Sequence, residues 1–299
     1  MSQAPPTGKL TVLYDGACPL CRREIAVYQG LQADAPVCFA DVSDPATELP
    51  AMTPRDQLLA RFHVRHADGR LDSGAAAFVA LWARLPGWRV LAWLARLPGV
   101  LWVMERVYRG FLRVRPVLQR RVVAWEAARQ ARRIERDLRS DHAGETGAVA
   151  IYAGILAVAR DPALRDLAER HQATEAEHLR LIEAWLPADR RSRLLPAWRL
   201  AGWLTGALPA LMGPRTVYAT IAAVETFVDH HYQHQIDHLQ AHPGPDGLLP
   251  LLLACQADEC AHRDEAMASA GVPAGWLLRL WCAVVGAGSA GAVVLARRL

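Results

Sequence analysis

Apolar residues recur at helical spacing through the C-terminal half of the chain. One stripe runs Ile134, Leu138, Val149, Tyr152, Leu156, a second Ile221, Val228, Tyr232, and a third Leu248, Leu252, Cys255. Steps of three, four, seven and eleven place each set on one helix face. The pattern predicts helices over Ile134–Ala159, from Asp161-Pro162 to about Trp185, over Arg215–Ala241 and over Leu248–Ala270. The Pro- and Gly-rich segment His242–Gly247 is the loop between the last two. Two further stretches are more uniformly apolar. Leu194–Leu211 is interrupted by Arg199, Gly202, Gly206 and Pro209. Ala274–Ala296 is long enough to span a bilayer but carries Arg279 and a run of small residues at Gly286–Gly291. Both are expected as helices lying in a membrane interface or packed on the bundle.

The N-terminal third reads differently. Leu10–Tyr14 and Val37–Ala40 are short apolar strands flanking a helix at Arg22–Leu31. A hairpin follows, Ala60–His66 and Arg70–Asp72 about the turn Asp68-Gly69, and then a helix Gly74–Arg84 capped by Ser73. The fold class expected is therefore two-domain: an α/β N-terminal domain over residues 8–115, a basic linker over 116–131, and an all-α domain over 132–299.

Charged residues interrupt the apolar stripes at regular places. Glu175 and His178 form one Glu-x-x-His, Glu259 and His262 a second. A lone carboxylate precedes each, Glu145 by 30 residues (175 − 145) and Glu225 by 34 (259 − 225). Residues three apart share a helix face, so each Glu-x-x-His can present both side chains to one centre. An unpaired carboxylate on a buried face costs several kcal/mol (roughly), and a metal removes that cost. Four carboxylates and two imidazoles on four helices are the di-iron pattern of ferritin-like bundles. Surface charges on misphased helices would explain one such motif; two copies with matched upstream glutamates fit the metal reading better.

Composition narrows the picture. The 299 residues are 52% hydrophobic and 21% charged, with net charge +4. From Arg84 to Arg136 thirteen Arg face three acidic residues, interleaved with Trp88, Trp93, Trp102 and Trp125. Such a stretch suits an anionic membrane surface or an acidic partner, and equally a solvated helix face beside a tryptophan core. No nucleic-acid motif accompanies it, so nucleic acid is not expected as a partner. Of the six cysteines only Cys18 and Cys21 have a motif spacing. The start MSQAPPTGKL runs straight into a strand, so a reducing cytosolic compartment is expected and a structural disulfide framework is not. A strand feeding Cys-x-x-Cys at a helix N-terminus is the thioredoxin-like arrangement, in which the helix end favours the first thiolate. A redox role and a structural remnant are both open for the pair. No Pro precedes Arg61–Val64, where thioredoxins carry a cis-Pro.

At YDGACPLC, RFHVRHADGRLDSGAAAF and LPGW, over about residues 8–115, the chain resembles the DCC family of thiol-disulfide oxidoreductase-like domains. At DHAGETGAVAIYAG, EAEHL, AVETFVDHHYQHQID, DECAHRDEA and the terminal ARRL it resembles the demethoxyubiquinone hydroxylases of ubiquinone biosynthesis. The whole chain looks like a known bacterial fusion of the two. The second resemblance implies a ferritin-like four-helix bundle with extra membrane-associated helices. It implies metal ligands at Glu145, Glu175, His178, Glu225, Glu259 and His262, and a His and Tyr beside the metal at His231 and Tyr232. It also implies two iron ions, O2 as co-substrate and NADH as reductant, directly or through the bound quinone. The substrate would be a prenylated quinol hydroxylated on its ring. Peripheral attachment to the cytoplasmic side of a bacterial inner membrane and other ubiquinone-biosynthesis proteins as partners follow from the same resemblance. The one Gly-x-Gly-x-x-Gly, Gly286–Gly291, lies within the last apolar stretch and follows no strand, so it marks no dinucleotide fold. The competing readings are a ferritin-like iron store and a redox-sensing protein. His142, His230, His234 and His238 are expected in capping or solvated roles, and Cys255 and Cys260 as small core residues.

Overall fold

A computed structural model describes residues 8–31, 33, 35–50, 53–271 and 275–299. The chain divides into two compact units, Met1–Ala127 and Ala128–Leu299.

In the first unit, β1 (Leu10–Tyr14), β2 (Val37–Asp41), β3 (His63–Arg65) and β4 (Leu71–Ser73) form one sheet in the order β2-β1-β3-β4. β1 pairs parallel with β2 and antiparallel with β3; β3 and β4 form the expected hairpin. Side chains alternate across β1. Leu10 and Val12 pack with Ile25, Tyr28, Val64, Ala77 and Leu81, while Leu13 packs with Val42 and Leu58. The first set engages α1 (Pro19–Gln29) and α3 (Ala75–Trp82), the second α2 (Arg55–Ala60).

α1 begins three residues before the sequence-based expectation. Pro19 is tolerated at the first helical position, so Cys18 becomes the N-cap and its Sγ accepts the Cys21 N–H at 3.4 Å. The expected Ser73 cap is not formed, because Ser73 is held in β4 opposite His63. Gly74 takes the cap position with φ +60°, and the Ala75 N–H donates to the Glu105 carboxylate at 3.2 Å. A carboxylate 30 residues away, read as part of a basic stretch, thus satisfies this helix end.

α4 (Arg89–Leu94) precedes α5 (Val100–Val158), a 59-residue helix within which the division between the units falls. Residues 116–131 are helical throughout. They are rich in Ala and Arg, which favour helix, and Pro116 costs only local backbone bonding.

The second unit is a helical bundle of the rest of α5 with α6 (Pro162–Glu183), α7 (Leu195–Met212), α8 (Pro214–Ala241), α9 (Leu248–Ala270) and α10 (Trp276–Ala296). Asp161 caps α6 by accepting the Leu164 N–H at 2.8 Å. Two apolar clusters fill the bundle. One holds Tyr152, Ile155, Leu164, Leu167, Val217, Ile221 and Ala266. The other holds Leu138, Ile182, Tyr232, Ile236, Leu248, Leu252 and Cys255. On each of α5, α6, α8 and α9 the Glu or Glu-x-x-His position falls between a residue of one cluster and a residue of the other. The charged layer is therefore sealed above and below by packed side chains.

Ala274, the expected first residue of the last helix, lies outside the described residues. α10 is long and apolar enough to cross a bilayer, by length and composition only. Its Trp281 Nε1–H donates to Thr220 Oγ1 at 2.8 Å, so one side of it packs on α8. Leu277, Leu280 and Val284 are exposed.

α5 and α7 meet through glycines. A Cβ added at Gly202 would stand 2.3 Å from the Gly147 carbonyl oxygen, one at Gly206 1.9 Å from that of Ile151, and one at Gly154 2.1 Å from that of Trp203. Two of the residues that interrupt the apolar stretch in the sequence, Gly202 and Gly206, are the ones that let the two backbones touch.

Candidate metal centre

All six sequence-derived positions come together. Glu145, Glu175, His178 and Glu259 have donor atoms within 4.8 Å of one another, as do Glu175, Glu225, Glu259 and His262. Glu175 and Glu259 belong to both sets. The geometry is two adjoining four-donor sites sharing two carboxylates, one contributed by each Glu-x-x-His. All six side chains are buried.

The electrostatics call for a cation. Burial pushes the Glu145 and Glu225 carboxyls well above the usual range, and neighbouring carboxylates push them further: Glu175 and Glu259 beside Glu145, Glu259 and Glu175 beside Glu225. Glu259 is raised by burial and by Glu175. Burial also works to raise Glu175, but His178, His262 and Glu145 outweigh it and hold that group at about 2. His262 Nδ1 lies 3.0 Å from Glu175 Oε1, yet both Glu175 oxygens and the Nδ1 atoms of His178 and His262 are buried without a hydrogen-bond partner. Orphaned polar atoms of this kind are expensive. Four carboxylates carry a formal −4, which two divalent cations would match. Hard oxygen donors with two imidazoles suit iron rather than a thiolate-seeking metal. The residues present thus fit a di-iron centre.

Hydrogen bonds from outside the cluster orient its members, as is usual for metal-holding residues. His178 Nε2 is 3.1 Å from Asp258 Oδ2, which leaves Nδ1 facing the cluster. The Tyr232 hydroxyl donates to Glu145 Oε1 at 2.6 Å and the Tyr152 hydroxyl to Glu225 Oε1 at 3.1 Å. Tyr152 also meets His171 Nδ1 at 3.1 Å, and His171 Nε2 meets Glu265 at 2.9 Å. The sequence pattern placed Tyr152 only in an apolar stripe. Its position seven residues after Glu145, on the same helix face, was the available signal. Asp258 and His171 carry no such signal.

Of the expected flanking pair, Tyr232 touches the cluster directly. His231 instead pairs its Nε2 with Asp141 Oδ1 at 2.9 Å, a carboxylate also held by Gln235. Both line a cavity of about 390 Å³ that reaches Glu145, Glu175, Glu225 and Glu259. Its walls are otherwise largely apolar, with Ile151, Trp198, Phe227, Val228, Trp281 and Val285 among them. His142 corrects one expectation. It is neither cap nor solvated but buried, with Nε2 3.2 Å from Glu183. His230 and His234 are exposed as expected, and Cys255 is a core residue.

Cys18 and Cys21 lie in the first unit as free thiols, Cys18 buried and Cys21 half-buried. Arg115, from the first part of α5, reaches both Asp15 and Cys21.

Comparison with known proteins agrees with this division. The family model described as DCC1-like thiol-disulfide oxidoreductase matches residues 12–121. A 3-demethoxyubiquinol 3-hydroxylase of Rhodospirillum rubrum is 39% identical over 143 residues, 46% of this chain and 65% of that protein. An NADPH-dependent 3-demethoxyubiquinone 3-hydroxylase of Dictyostelium discoideum is 39% identical over 110 residues, 36% of this chain and 50% of that protein. The one of Caenorhabditis elegans is 31% identical over 179 residues, 58% of this chain and 94% of that protein. The chain thus spans between half and two thirds of the first two relatives and nearly all of the third. The model described as ubiquinone biosynthesis protein COQ7 matches residues 132–296, which contain the whole Glu/His cluster and the cavity above it. The chain belongs to the COQ7 family.

Proposed function

We propose that this chain is a di-iron monooxygenase that hydroxylates the ring of a demethoxyubiquinone-type prenylated quinol with O2. The observation that carries this reading is a buried six-donor cluster opening onto an apolar cavity of drug-like size. A ferritin-like iron store would share the donors but has no use for the cavity.

Glu145, Glu175, His178 and Glu259 would hold one iron, and Glu175, Glu225, Glu259 and His262 the other. When bound, the pair supplies two electrons to O2, of which one atom enters the ring and the other leaves as water. The protein's part is positional. Tyr232 and Tyr152 steady the oxygens of Glu145 and Glu225 by their hydroxyl hydrogens. Trp198, Phe227 and Trp281 give the quinol ring apolar walls and keep water out. His231 Nε2, shared with Asp141, stands on the same wall as a group able to exchange a proton with a ring hydroxyl. NADH is the reductant this reading expects. The first unit, with its β2-β1-β3-β4 sheet and Cys-x-x-Cys at a helix start, is read as a thioredoxin-like domain, residues 8–115, serving thiol redox or electron delivery. The bundle, residues 132–299, is read as ferritin-like.

The experiment is quinone profiling of a deletion strain. Ubiquinone should fall and the intermediate lacking one methoxy group should accumulate. The intact gene should restore the product under air but not under strict anoxia, because O2 is consumed. Normal ubiquinone in the deletion strain, with no other hydroxylase encoded, would defeat the assignment.

The same reading makes the bundle a peripheral membrane protein on the cytoplasmic face. α7 exposes Leu200, Trp203, Leu204, Leu208, Leu211 and Met212, a continuous apolar surface beside the cavity wall. Trp198, on the same helix, turns inward to the cavity and donates to Ser192 Oγ at 3.1 Å. Trp203→Glu with Leu204→Glu should reduce liposome binding and turnover of long-tailed quinone by about tenfold or more, at two side chains each worth about 1.5–3 kcal/mol of burial. Iron content should persist. Unchanged liposome binding would rule the docking face out.

A further inference from the structure

We propose that Arg115 sets the redox poise of the Cys18–Cys21 pair: its buried guanidinium is the counter-ion of the pair's reduced, thiolate-bearing form. This rests on the thiol-redox reading of the first unit given above.

The guanidinium is placed and underused. Arg115 is 9% exposed. Its Nη2 donates to Asp15 Oδ2 at 2.8 Å and to Cys21 Sγ at 3.4 Å, and its Nη1 to the Leu59 carbonyl at 3.2 Å. Its Nε is buried with no partner. Asp15 supplies one anion beside this buried charge, and the sulfur pair is the second group within reach that can carry negative charge. Cys18 sits at the N-cap of α1, where the Cys21 N–H points at its Sγ and the helix end favours negative charge. Burial works to raise the Cys18 thiol, but hydrogen bonding from Cys21, Gln119 and Arg115 outweighs it and leaves the thiol below its ordinary value. Burial, then Cys18 itself, pushes Cys21 up to about 12. Of the two, Cys18 is therefore the thiol that ionises first. Asp15, Cys18 and Cys21 are close enough to hold a cation, but the guanidinium already supplies positive charge to two of those three donors.

The redox step balances with glutathione disulfide as oxidant. The Cys18 Sγ–Cys21 Sγ bond forms and the S–S bond of glutathione disulfide breaks. Two electrons pass from the cysteine pair to glutathione, and the Cys21 proton leaves with one of the two glutathione sulfurs. The second leaves as thiolate and takes a proton from water. Whatever stabilises the thiolate favours the reduced pair over the disulfide. Arg115 does so. Asp15 opposes it, since its carboxylate occupies the guanidinium and repels the thiolate.

The test is redox titration of the full chain in glutathione buffers, with differential alkylation and mass spectrometry of the peptide carrying Cys18 and Cys21, which separates them from the other four cysteines. Arg115→Gln should shift the equilibrium toward the disulfide by about tenfold, about 30 mV in potential. Arg115→Lys should keep most of the wild-type poise. Asp15→Asn should shift it the other way, toward the dithiol. A merely structural role would not give opposite signs. If Arg115→Gln fails to fold, the Lys and Asn variants carry the same test. An unchanged potential in Arg115→Gln, or Asp15→Asn moving with it rather than against it, overturns the role of Arg115. Absence of any disulfide between the two cysteines in every buffer, wild type included, overturns the redox reading itself.

Discussion

Glu175→Ala is expected to remove metal from the bundle and lower hydroxylation by at least about 100-fold, more than the 10- to 100-fold typical of losing a residue one step outside a metal site. Glu175 belongs to both four-donor sets and is wholly buried, so its loss empties a shared position rather than one site. Glu259→Ala should behave alike for the same reason. The stability effects separate a metal-site role from a packing one. Without metal, deleting Glu175 relieves repulsion from the other carboxylates but also removes its pairing with His178 and His262, so the apo variant should stay close in stability to apo wild type. With metal, wild type gains stability as any protein does from a ligand of its native state, and the variant should not. The measurements are iron per chain, circular dichroism, and melting with and without a chelator. About two irons per wild-type chain are expected, and helical content should be retained in the variants. Full activity in either variant, or zinc in place of iron, would sink the di-iron assignment.

That centre was the most legible part of the chain because its information is local. Glu-x-x-His fixes two donors by helix geometry alone, and the apolar stripes fix the phase of each helix. β1 and α9 begin and end where composition put them, bounded by turn-forming residues. The rest depended on contacts that no local pattern encodes. The cap of α3 comes from Glu105, far along the chain, so Ser73 was the only visible candidate. α5 is continuous through a stretch that has no apolar stripe of its own and contains a proline, which read as linker. Tyr152 and Asp258 act on the cluster by a hydroxyl and a carboxylate whose neighbours lie 73 and 80 residues away. Arg115 was one arginine among thirteen until the fold brought it to Cys21.

The glycines of α7 show the same limit and give the second large effect. In the sequence Gly202 and Gly206 weaken a helix; in the fold they are its contact. Gly206→Ala places a Cβ 1.9 Å from the Ile151 carbonyl oxygen and 2.8 Å from its carbon. Those are backbone atoms of α5, so no side chain can swing aside and the two helices must separate. Overpacking of this kind costs about 1–3 kcal/mol or more, against the roughly 1 kcal/mol that Gly→Ala returns in a helix interior. Separation should also deform the cavity, since Ile151, Gly202 and Thr205 line it, and turnover should fall while the Glu/His donors, one layer deeper, keep their iron. Gly291→Ala on α10 is the matched control. It is the same chemical change in a helix interior, and nothing lies within 4 Å of the new methyl. It should leave melting unchanged or raise it. At roughly 2–4 °C per kcal/mol for a domain of this size, thermal melts of the two variants resolve the difference. Equal melting temperatures for Gly206→Ala and Gly291→Ala would show that α5 and α7 do not meet backbone to backbone.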